Sequence, residues 1–171
     1  MAKRKRKGDT GKNFESEIRR SLKSSKHIWW FRIQDTNDIN RFVKQAVAEK
    51  QPADFFTVYR SRPIMLEAKT SRNLTSFPLY YGSGRAIAKH HIDEGNKLVW
   101  KGGISRILIR REEYRNKKCY AITPSQALYL YSKKYKSKSV KWAWFEEHAY
   151  KVERLKAPLR WNLHKLYEEI L

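Results

Sequence analysis

Hydrophobic and polar positions along this chain alternate in blocks that predict short strands packed between helices. The first block has Phe14, Ile18 and Leu22 at helical spacing, which predicts an amphipathic helix from Thr10. Later blocks change between the periodicity of strands and that of helices. In chain order, they predict a strand at 27–33, a helix with its apolar face at 39–47, a β-hairpin at 54–70, a helix from 85 to about 97, strands at 104–110 and 117–122, a capped helix from 123 and a last helix from 161. This order predicts a mixed sheet flanked by helices, of α/β or α+β class.

The hairpin at 54–70 carries the residues with catalytic chemistry. Its two halves have strand composition, and Arg60-Ser61-Arg62-Pro63 between them is a turn signal. Asp54 is therefore expected to open one strand, with Glu67 across the ladder on its partner. Side chains alternate along a strand, so Glu67 and Lys69 are expected to share a face.

These three residues have the composition of a metal-dependent phosphodiesterase site. Two converging carboxylates repel each other unless a hard cation such as Mg²⁺ neutralises them. Lys69 can then orient a water molecule or offset negative charge on a pentacovalent phosphate. The alternative interpretation of the pattern is a surface strand with a cross-strand ion pair.

The charge of the chain indicates a polyanionic partner. Its 171 residues include 38 Lys and Arg against 17 Asp and Glu, which gives a net charge of +21. Such an excess raises self-repulsion, and nucleic acid is the first candidate to offset it. The aromatic content of 13% argues against a disordered polycation and for one domain with a core of its own.

Several other kinds of site and location are disfavoured. Cys119 is the only cysteine, which excludes a disulfide or a cysteine-rich zinc site within one chain and predicts a packed strand residue. His90 and His91 are adjacent, so on a helix they point about 100° apart and are not expected to share a metal. Of Trp29 and Trp30, at least one is expected to serve the core rather than to stack on bases, because side chains alternate along a strand. No apolar run reaches membrane-spanning length and no secretory signal is present, which predicts a cytoplasmic protein with no membrane partner.

Two segments are expected to lie outside the packed sheet. Residues 1–10 form a basic stretch with nothing to bury, which predicts a disordered arm before a single domain at 11–171. The lysine-rich run from Ser132 to Lys141 predicts an exposed loop.

The stretch from Glu67 to Leu79 joins the core Glu67-Ala68-Lys69 through a polar turn to Thr75-Ser76-Phe77-Pro78-Leu79. In this stretch above all, the chain resembles the PD-(D/E)XK nucleases and, among them, the RecU-type Holliday-junction resolvases. Residues 11–18, 42–59, 146–150 and 157–160 resemble the family in the same order. The resemblance implies a restriction-endonuclease-like mixed central sheet flanked by helices.

The resemblance also implies roles for single residues. Asp54 and Glu67 would bind Mg²⁺, with the Ala68 carbonyl as a further ligand and Mn²⁺ as a substitute, and Lys69 would assist the attacking water. Glu15 on the first helix would complete the acidic site, with Glu17 as its rival. Phe77 would line the site. Side chains expected to contact DNA are Lys3, Arg4, Lys5, Arg6, Lys7, Lys12, Arg32, Arg72, Thr75 and Ser76.

The chain departs from the family pattern at three places. Ala53 stands where these resolvases have a threonine before the catalytic aspartate, and His91 stands where a glutamine is common. The segment at about 34–51 corresponds to the projecting stalk of the family and is shorter.

The function expected from the resemblance is that of a homodimeric, Mg²⁺-dependent endonuclease that resolves four-way DNA junctions by paired symmetric nicks with 5′-phosphate ends. Recombination proteins would be further partners, in a bacterial cytoplasm or in that of a phage host. Two alternatives stay open: another nuclease of the superfamily, such as a restriction-like or repair nickase, and a basic nucleic-acid-binding protein without catalysis.

Overall fold

The helices and strands of this chain come from a computed structural model that describes residues 9–33, 51–113, 116–132, 135, 137–155 and 160–171. Within these residues there are five helices and twelve strands. In chain order they are α1 (Asp9–Ser24), β1 (Trp29–Arg32), β2 (Phe55–Tyr59), β3 (Arg62–Ser71), β4 (Ser76–Pro78), β5 (Tyr80–Tyr81), β6 (Gly84–Arg85), α2 (Lys89–Trp100), β7 (Ile104–Arg111), β8 (Lys118–Ile122), α3 (Pro124–Leu130), β9 (Ser139–Lys141), α4 (Trp142–His148), β10 (Tyr150–Val152), β11 (Arg154–Leu155), β12 (Arg160–Trp161) and α5 (Leu163–Ile170).

Six strands form the central sheet, in the order β1-β2-β3-β7-β8-β10. β3 and β7 run parallel, and every other neighbouring pair in this sheet is antiparallel. A parallel pair needs a crossover between its strands, and here the crossover contains α2. The prediction of a mixed sheet flanked by helices is confirmed.

Two apolar clusters cover the two faces of the sheet. One contains the α1 stripe of Phe14, Ile18 and Leu22 together with residues of α5. The other contains residues of α2, α3 and α4. Along β7, Leu108 belongs to the first cluster and Ile107 and Ile109 to the second, as expected for alternating side chains in a strand buried on both faces. Burying each such side chain contributes about 1.5–3 kcal/mol.

α2 begins later than its sequence pattern predicts, at Lys89 rather than at residue 85. Residues 80–85 instead form the β5–β6 hairpin, and Ala88 has the extended backbone of an N-cap. The helix also passes through Gly95 without a break. A Cβ at this position would lie 2.6 Å from Ser105 Oγ and 2.8 Å from Pro124 Cγ. The glycine allows α2 to pack closely on β7 and α3.

The prediction of an exposed loop from Ser132 to Lys141 is wrong for its last three residues. Ser139–Lys141 is strand β9, which pairs with β4, and Val140 is fully buried. The expectation that at least one tryptophan serves the core is confirmed, since Trp30 packs against the core, whereas Trp29 is 60% exposed. Cys119 is buried in β8, as predicted.

The predicted basic arm lies outside the described residues apart from residues 9 and 10, and α1 already includes these two. The helix expected at 39–47 and nearly all of the projecting segment at 34–51 also lie outside them. No helix in the described part of the chain is long and apolar enough to cross a membrane.

Candidate active site

Asp54 lies at the position that the hairpin pattern predicts. It directly precedes β2, whose first residue, Phe55, pairs with Leu66 on β3, so Asp54 stands opposite Glu67. Asp54 Oδ2 accepts a 2.7 Å hydrogen bond from the N–H of Ala68. The side chain is thereby fixed against the strand that carries Glu67.

Glu67 and Lys69 share one face of β3, as their spacing predicts. Lys69 Nζ lies 2.5 Å from Glu67 Oε1, and the Glu67 side chain is only 4% exposed. β7 pairs with β3 throughout this stretch, and β2 pairs with β3 up to Leu66, directly before Glu67. The surface-strand alternative is therefore wrong: Glu67 is buried at the centre of the sheet.

The two carboxylates differ in protonation. Burial raises the pKa of Asp54 from 3.8 to about 7, and the negative charge of Glu67 adds to this rise. Burial would also raise the pKa of Glu67, but the contacts with His91 and Lys69 outweigh it and lower that pKa. For Lys69, burial would lower the pKa, but the charge of Glu67 and then that of Asp54 outweigh it, so the ammonium form is favoured.

His91 is a site residue whose contact the sequence does not reveal. Its Nδ1 lies 3.0 Å from Glu67 Oε2 and 3.3 Å from the carbonyl oxygen of Pro52. The imidazole thus touches both the carboxylate of Glu67 and the backbone just before Asp54. The only sequence signal for it was its place in the family pattern, where glutamine is common.

Glu15 and Glu17 have different surroundings. Glu15 pairs with Arg32 at 2.6 Å, and its charge contributes to the raised pKa of both Asp54 and Lys69. Glu17 is buried and lies 2.6 Å from Arg110 Nη1. The charge of Glu15 therefore acts on Asp54 and Lys69, whereas Glu17 lies in the core.

The carboxylates of this site fit a divalent cation. Glu67 Oε2 is buried and makes no well-aligned hydrogen bond, since its contact with His91 Nδ1 at 3.0 Å is an ion-pair contact, so this oxygen can still accept a cation. Asp54 and Glu67 supply the oxygen ligands that Mg²⁺ prefers. No cluster of three or more His, Cys, Asp or Glu side chains with metal-binding geometry occurs in the described part of the chain, so further ligands would be backbone carbonyls, water or substrate.

The residues expected to contact DNA fall into two groups. Lys12, Arg32, Arg72 and Thr75 are exposed and Ser76 is half-buried, so all five can be reached from solvent. Arg32 is held by Glu15. The arm residues Lys3, Arg4, Lys5, Arg6 and Lys7 lie outside the described residues. Phe77 does not line the site, because it is 1% exposed and packs in the core with Phe145.

An exposed loop precedes β4 close to these residues. The Asn73 side chain accepts hydrogen bonds from the N–H groups of Thr75 and Ser76 and from the Thr75 hydroxyl. The backbone carbonyl of Asn73 accepts a hydrogen bond from Trp142 Nε1 at 2.9 Å. The loop after β3 therefore has a defined backbone conformation.

Comparison with known proteins gives the family. Among solved structures, Hjc from Archaeoglobus fulgidus, a Holliday junction resolvase from an archaeal hyperthermophile, is similar over 81% of this chain and 89% of its own, with 11% identity and a TM-score of 0.45. A search of curated proteins found no match. The family model for RecU, Recombination protein U, matches residues 11–166. Since this match includes most of the 171 residues, the chain belongs to the Recombination protein U (RecU) family.

Proposed function

We propose that this chain is a Mg²⁺-dependent endonuclease that resolves four-way DNA junctions by paired, symmetric nicks. The observation that carries the proposal is the meeting of Asp54 with Glu67 and Lys69 at the sheet centre, in a chain of the RecU family. The similar archaeal structure is itself a Holliday junction resolvase. The net charge of +21 suits a substrate recognised through its phosphates.

Asp54, Glu67 and the Ala68 carbonyl would hold the cation. When bound, Mg²⁺ supplies Lewis-acid polarisation of the phosphate and lowers the pKa of a bound water. Mn²⁺ is expected to substitute, because it also accepts carboxylate and carbonyl oxygens.

The side chains of this chain have distinct parts in the reaction. Lys69, kept as an ammonium by Glu67, is placed to orient the attacking water and to offset negative charge on phosphorus. The water oxygen bonds to phosphorus in line as the bond to the 3′ oxygen breaks, which gives 5′-phosphate and 3′-hydroxyl ends. Glu15 adds negative charge beside Lys69 and Asp54. Thr75 and Ser76 would hydrogen-bond backbone phosphates.

His91 has a positioning part in the same site. Its Nδ1 contacts Glu67 Oε2 and the Pro52 carbonyl, which lies two residues before Asp54. One imidazole therefore restrains both carboxylate-bearing segments, in the place where a glutamine is common in the family.

A homodimer is part of the proposal. One chain offers one Asp54–Glu67–Lys69 site, whereas resolution needs two incisions in opposing strands. Two-fold symmetry of a dimer would match that of the junction. Recombination proteins are the further partners that we propose.

The experiment compares Glu67→Gln with the wild-type chain. Glutamine keeps the size of glutamate but removes the charge that would hold the cation, so junction cleavage in Mg²⁺ should fall by 10²-fold or more, on the order expected for a lost electrostatic stabiliser. Junction affinity, measured by gel shift in Ca²⁺, should be kept or slightly raised. Glu147→Gln, at an exposed residue of α4, is the matched control and should cleave normally.

Circular dichroism establishes that the Glu67→Gln protein is folded. A folded variant that cut junctions at the wild-type rate would refute the proposed active site. Equal cleavage of four-way, Y-form and linear DNA by the wild-type chain would show a less selective nuclease instead. Metal-independent binding with no cleavage of any of these DNAs would show a binding protein.

A further inference from the structure

A small tyrosine hairpin, residues 80–85, lies between β4 and α2. Tyr80 pairs with Arg85 and Tyr81 with Gly84, and Gly82 at the turn has a φ of +60°. Glycine adopts this backbone conformation without the steric cost that other residues have. Neither tyrosine is part of the core, since Tyr80 is 40% and Tyr81 58% exposed. The hairpin thus holds two aromatic rings at the surface.

Tyr131, directly after α3, fixes the base of the hairpin. Its hydroxyl accepts a hydrogen bond from the N–H of Ile87 at 3.0 Å and donates one to the carbonyl of Leu79 at 2.9 Å. Its ring contacts Tyr80 edge-on at 5.6 Å, and the Arg85 guanidinium lies 4.7 Å from the ring centroid. Because both ends of the hairpin are held, little conformational entropy is lost when a ligand contacts its tip.

A short connection joins the hairpin to the helix that contacts the candidate active site. After Arg85, three residues lead to α2, whose His91 contacts Glu67. Burial raises the pKa of Tyr81 and the positive charge of Lys69 lowers it, so this tyrosine and the catalytic lysine are within electrostatic range of each other. An exposed ring, a nearby ammonium and the guanidinium of Arg85 form a surface suited to nucleic acid, which combines flat bases with phosphates.

We propose that the tyrosine hairpin contacts branched DNA and that the ring of Tyr81 stacks on a base at the branch point. When a four-way junction is held open, the bases at its branch point lack a stacking neighbour on one side, so their faces are accessible to an aromatic ring. The surrounding cations would bind the phosphates on either side. This inference rests on the proposed function, since it assigns a substrate contact to the same site.

The experiment uses four-way junctions with 2-aminopurine at the branch point and the full chain in Ca²⁺. Tyr81→Ala should weaken junction binding by about 5- to 150-fold, the range for one lost base–aromatic stack, and should abolish the change in 2-aminopurine fluorescence. Tyr81→Phe keeps the ring and should preserve both. Tyr129→Ala is the matched control, because Tyr129 is 48% exposed on α3 and should give wild-type values.

Three results would overturn the inference. One is an unchanged affinity and fluorescence response in Tyr81→Ala. Another is a Tyr81→Phe protein that behaves like the alanine variant, which would assign the contact to the hydroxyl. The third is an equal loss of linear-duplex binding, which would indicate a general phosphate contact. If the wild-type chain itself fails to prefer junctions to duplex, the proposed function fails, whereas the results above leave it intact.

Discussion

Single residues determine how much negative charge the site carries. Asp54 is held opposite Glu67 by the N–H of Ala68, and burial raises its pKa to about 7. Glu67 has its pKa lowered by His91 and Lys69, against the effect of burial. Near neutral pH, the cation-free site therefore has one ionised carboxylate and one that is partly protonated. Divalent cation binding would favour ionisation of both.

The stability of the cation-free protein should consequently depend on pH through Asp54. In the folded state the pKa of Asp54 is about 7, above its ordinary value of 3.8, so the folded chain binds this proton more tightly than the unfolded chain. Stability is then lost as the pH rises from about 4 through 7. Asp54→Asn cannot ionise and keeps an oxygen for the Ala68 N–H. In EDTA at pH 8 its Tm should exceed that of the wild-type chain by about 3 °C or more.

The melting experiment contains its own control. At pH 5 only part of this loss of stability has occurred, because Asp54 is ionised in the unfolded wild-type chain but still protonated in the folded one, so the Tm difference should be clearly smaller than at pH 8. Asp93→Asn, at an exposed residue that pairs with Lys89, should show no such pH dependence. If the Tm difference between Asp54→Asn and the wild-type chain were the same at pH 5 and pH 8, the raised pKa of Asp54 would be wrong.

The residues of the site were predictable where local geometry alone decides. Alternation along β3 put Glu67 and Lys69 on one face, and the hairpin put Asp54 opposite Glu67. His91 was not predictable in this way, since its contact depends on where α2 begins and how the helix packs on the sheet. Tyr81 belonged to a segment with no clear periodicity.

At the scale of elements, the attachment of α1 to the sheet separates the two glutamates of this helix. Arg110, fully buried on β7, lies 2.6 Å from both Glu17 and Glu112, and its guanidinium stands over the ring of Phe14. Glu17 also accepts a hydrogen bond from Trp161 Nε1. These contacts fix the rotation of α1 about its axis. Glu15 is thereby turned toward the site.

Glu17→Gln should therefore lower the stability of the fold, whereas Glu15→Gln should lower the rate of cleavage. Removing one partner of a buried ion pair typically costs about 3 kcal/mol, so Glu17→Gln should destabilise the fold by that order. Glu15 pairs with Arg32 at the surface, where such pairs contribute about 0–1 kcal/mol, so Glu15→Gln should melt almost like the wild-type chain. Its cleavage rate should nevertheless fall by about tenfold or more, because it is placed near Lys69.

Chemical denaturation and junction cleavage, measured on both variants, check this prediction. A stable Glu17→Gln protein with strongly reduced cleavage, beside a fully active Glu15→Gln protein, would reverse the assignment. Sequence periodicity left this pair open because the partner of Glu17 is Arg110, far along the chain. A buried carboxylate cannot be recognised from its own segment when a distant residue supplies the neutralising charge.

Dependence on distant parts of the chain also explains why β9 was not predicted from the sequence. Most residues from Ser132 to Lys141 are polar, so their pattern predicts a loop. β9 is recognisable only from its pairing with β4, which buries Val140. α3 was predictable because its signals are local: Thr123 and Gln126 form a reciprocal capping box. The central strands were predictable because they are apolar on both faces.

At the scale of the whole molecule, the excess of positive charge explains affinity for DNA but not selectivity for junctions. Counterion release favours any polyanion, whether branched or linear. Selectivity must then come from arrangement: where the two active sites of a dimer lie, and what contacts the branch point. The proposed homodimer is therefore the part of the function that most needs a direct test.

Hybrid dimers provide that test. Wild-type and Glu67→Gln chains with different tags are refolded together, and the hybrid is isolated through both tags. A supercoiled plasmid with an extruded cruciform is the substrate, because two opposed nicks give linear DNA whereas one nick gives an open circle. Wild-type dimers should give mainly linear product, and hybrids mainly open circles, since only one subunit retains an active site.

The doubly tagged wild-type dimer is the control and should give linear product. Light scattering accompanies the assay, since the proposal requires a mass near twice the 20.5 kDa of one chain. A hybrid that produced linear DNA as efficiently as the control would show that one subunit makes both cuts. A monomer both free and bound to a junction would exclude paired incision and leave a nickase, because each chain contributes one Asp54–Glu67–Lys69 site.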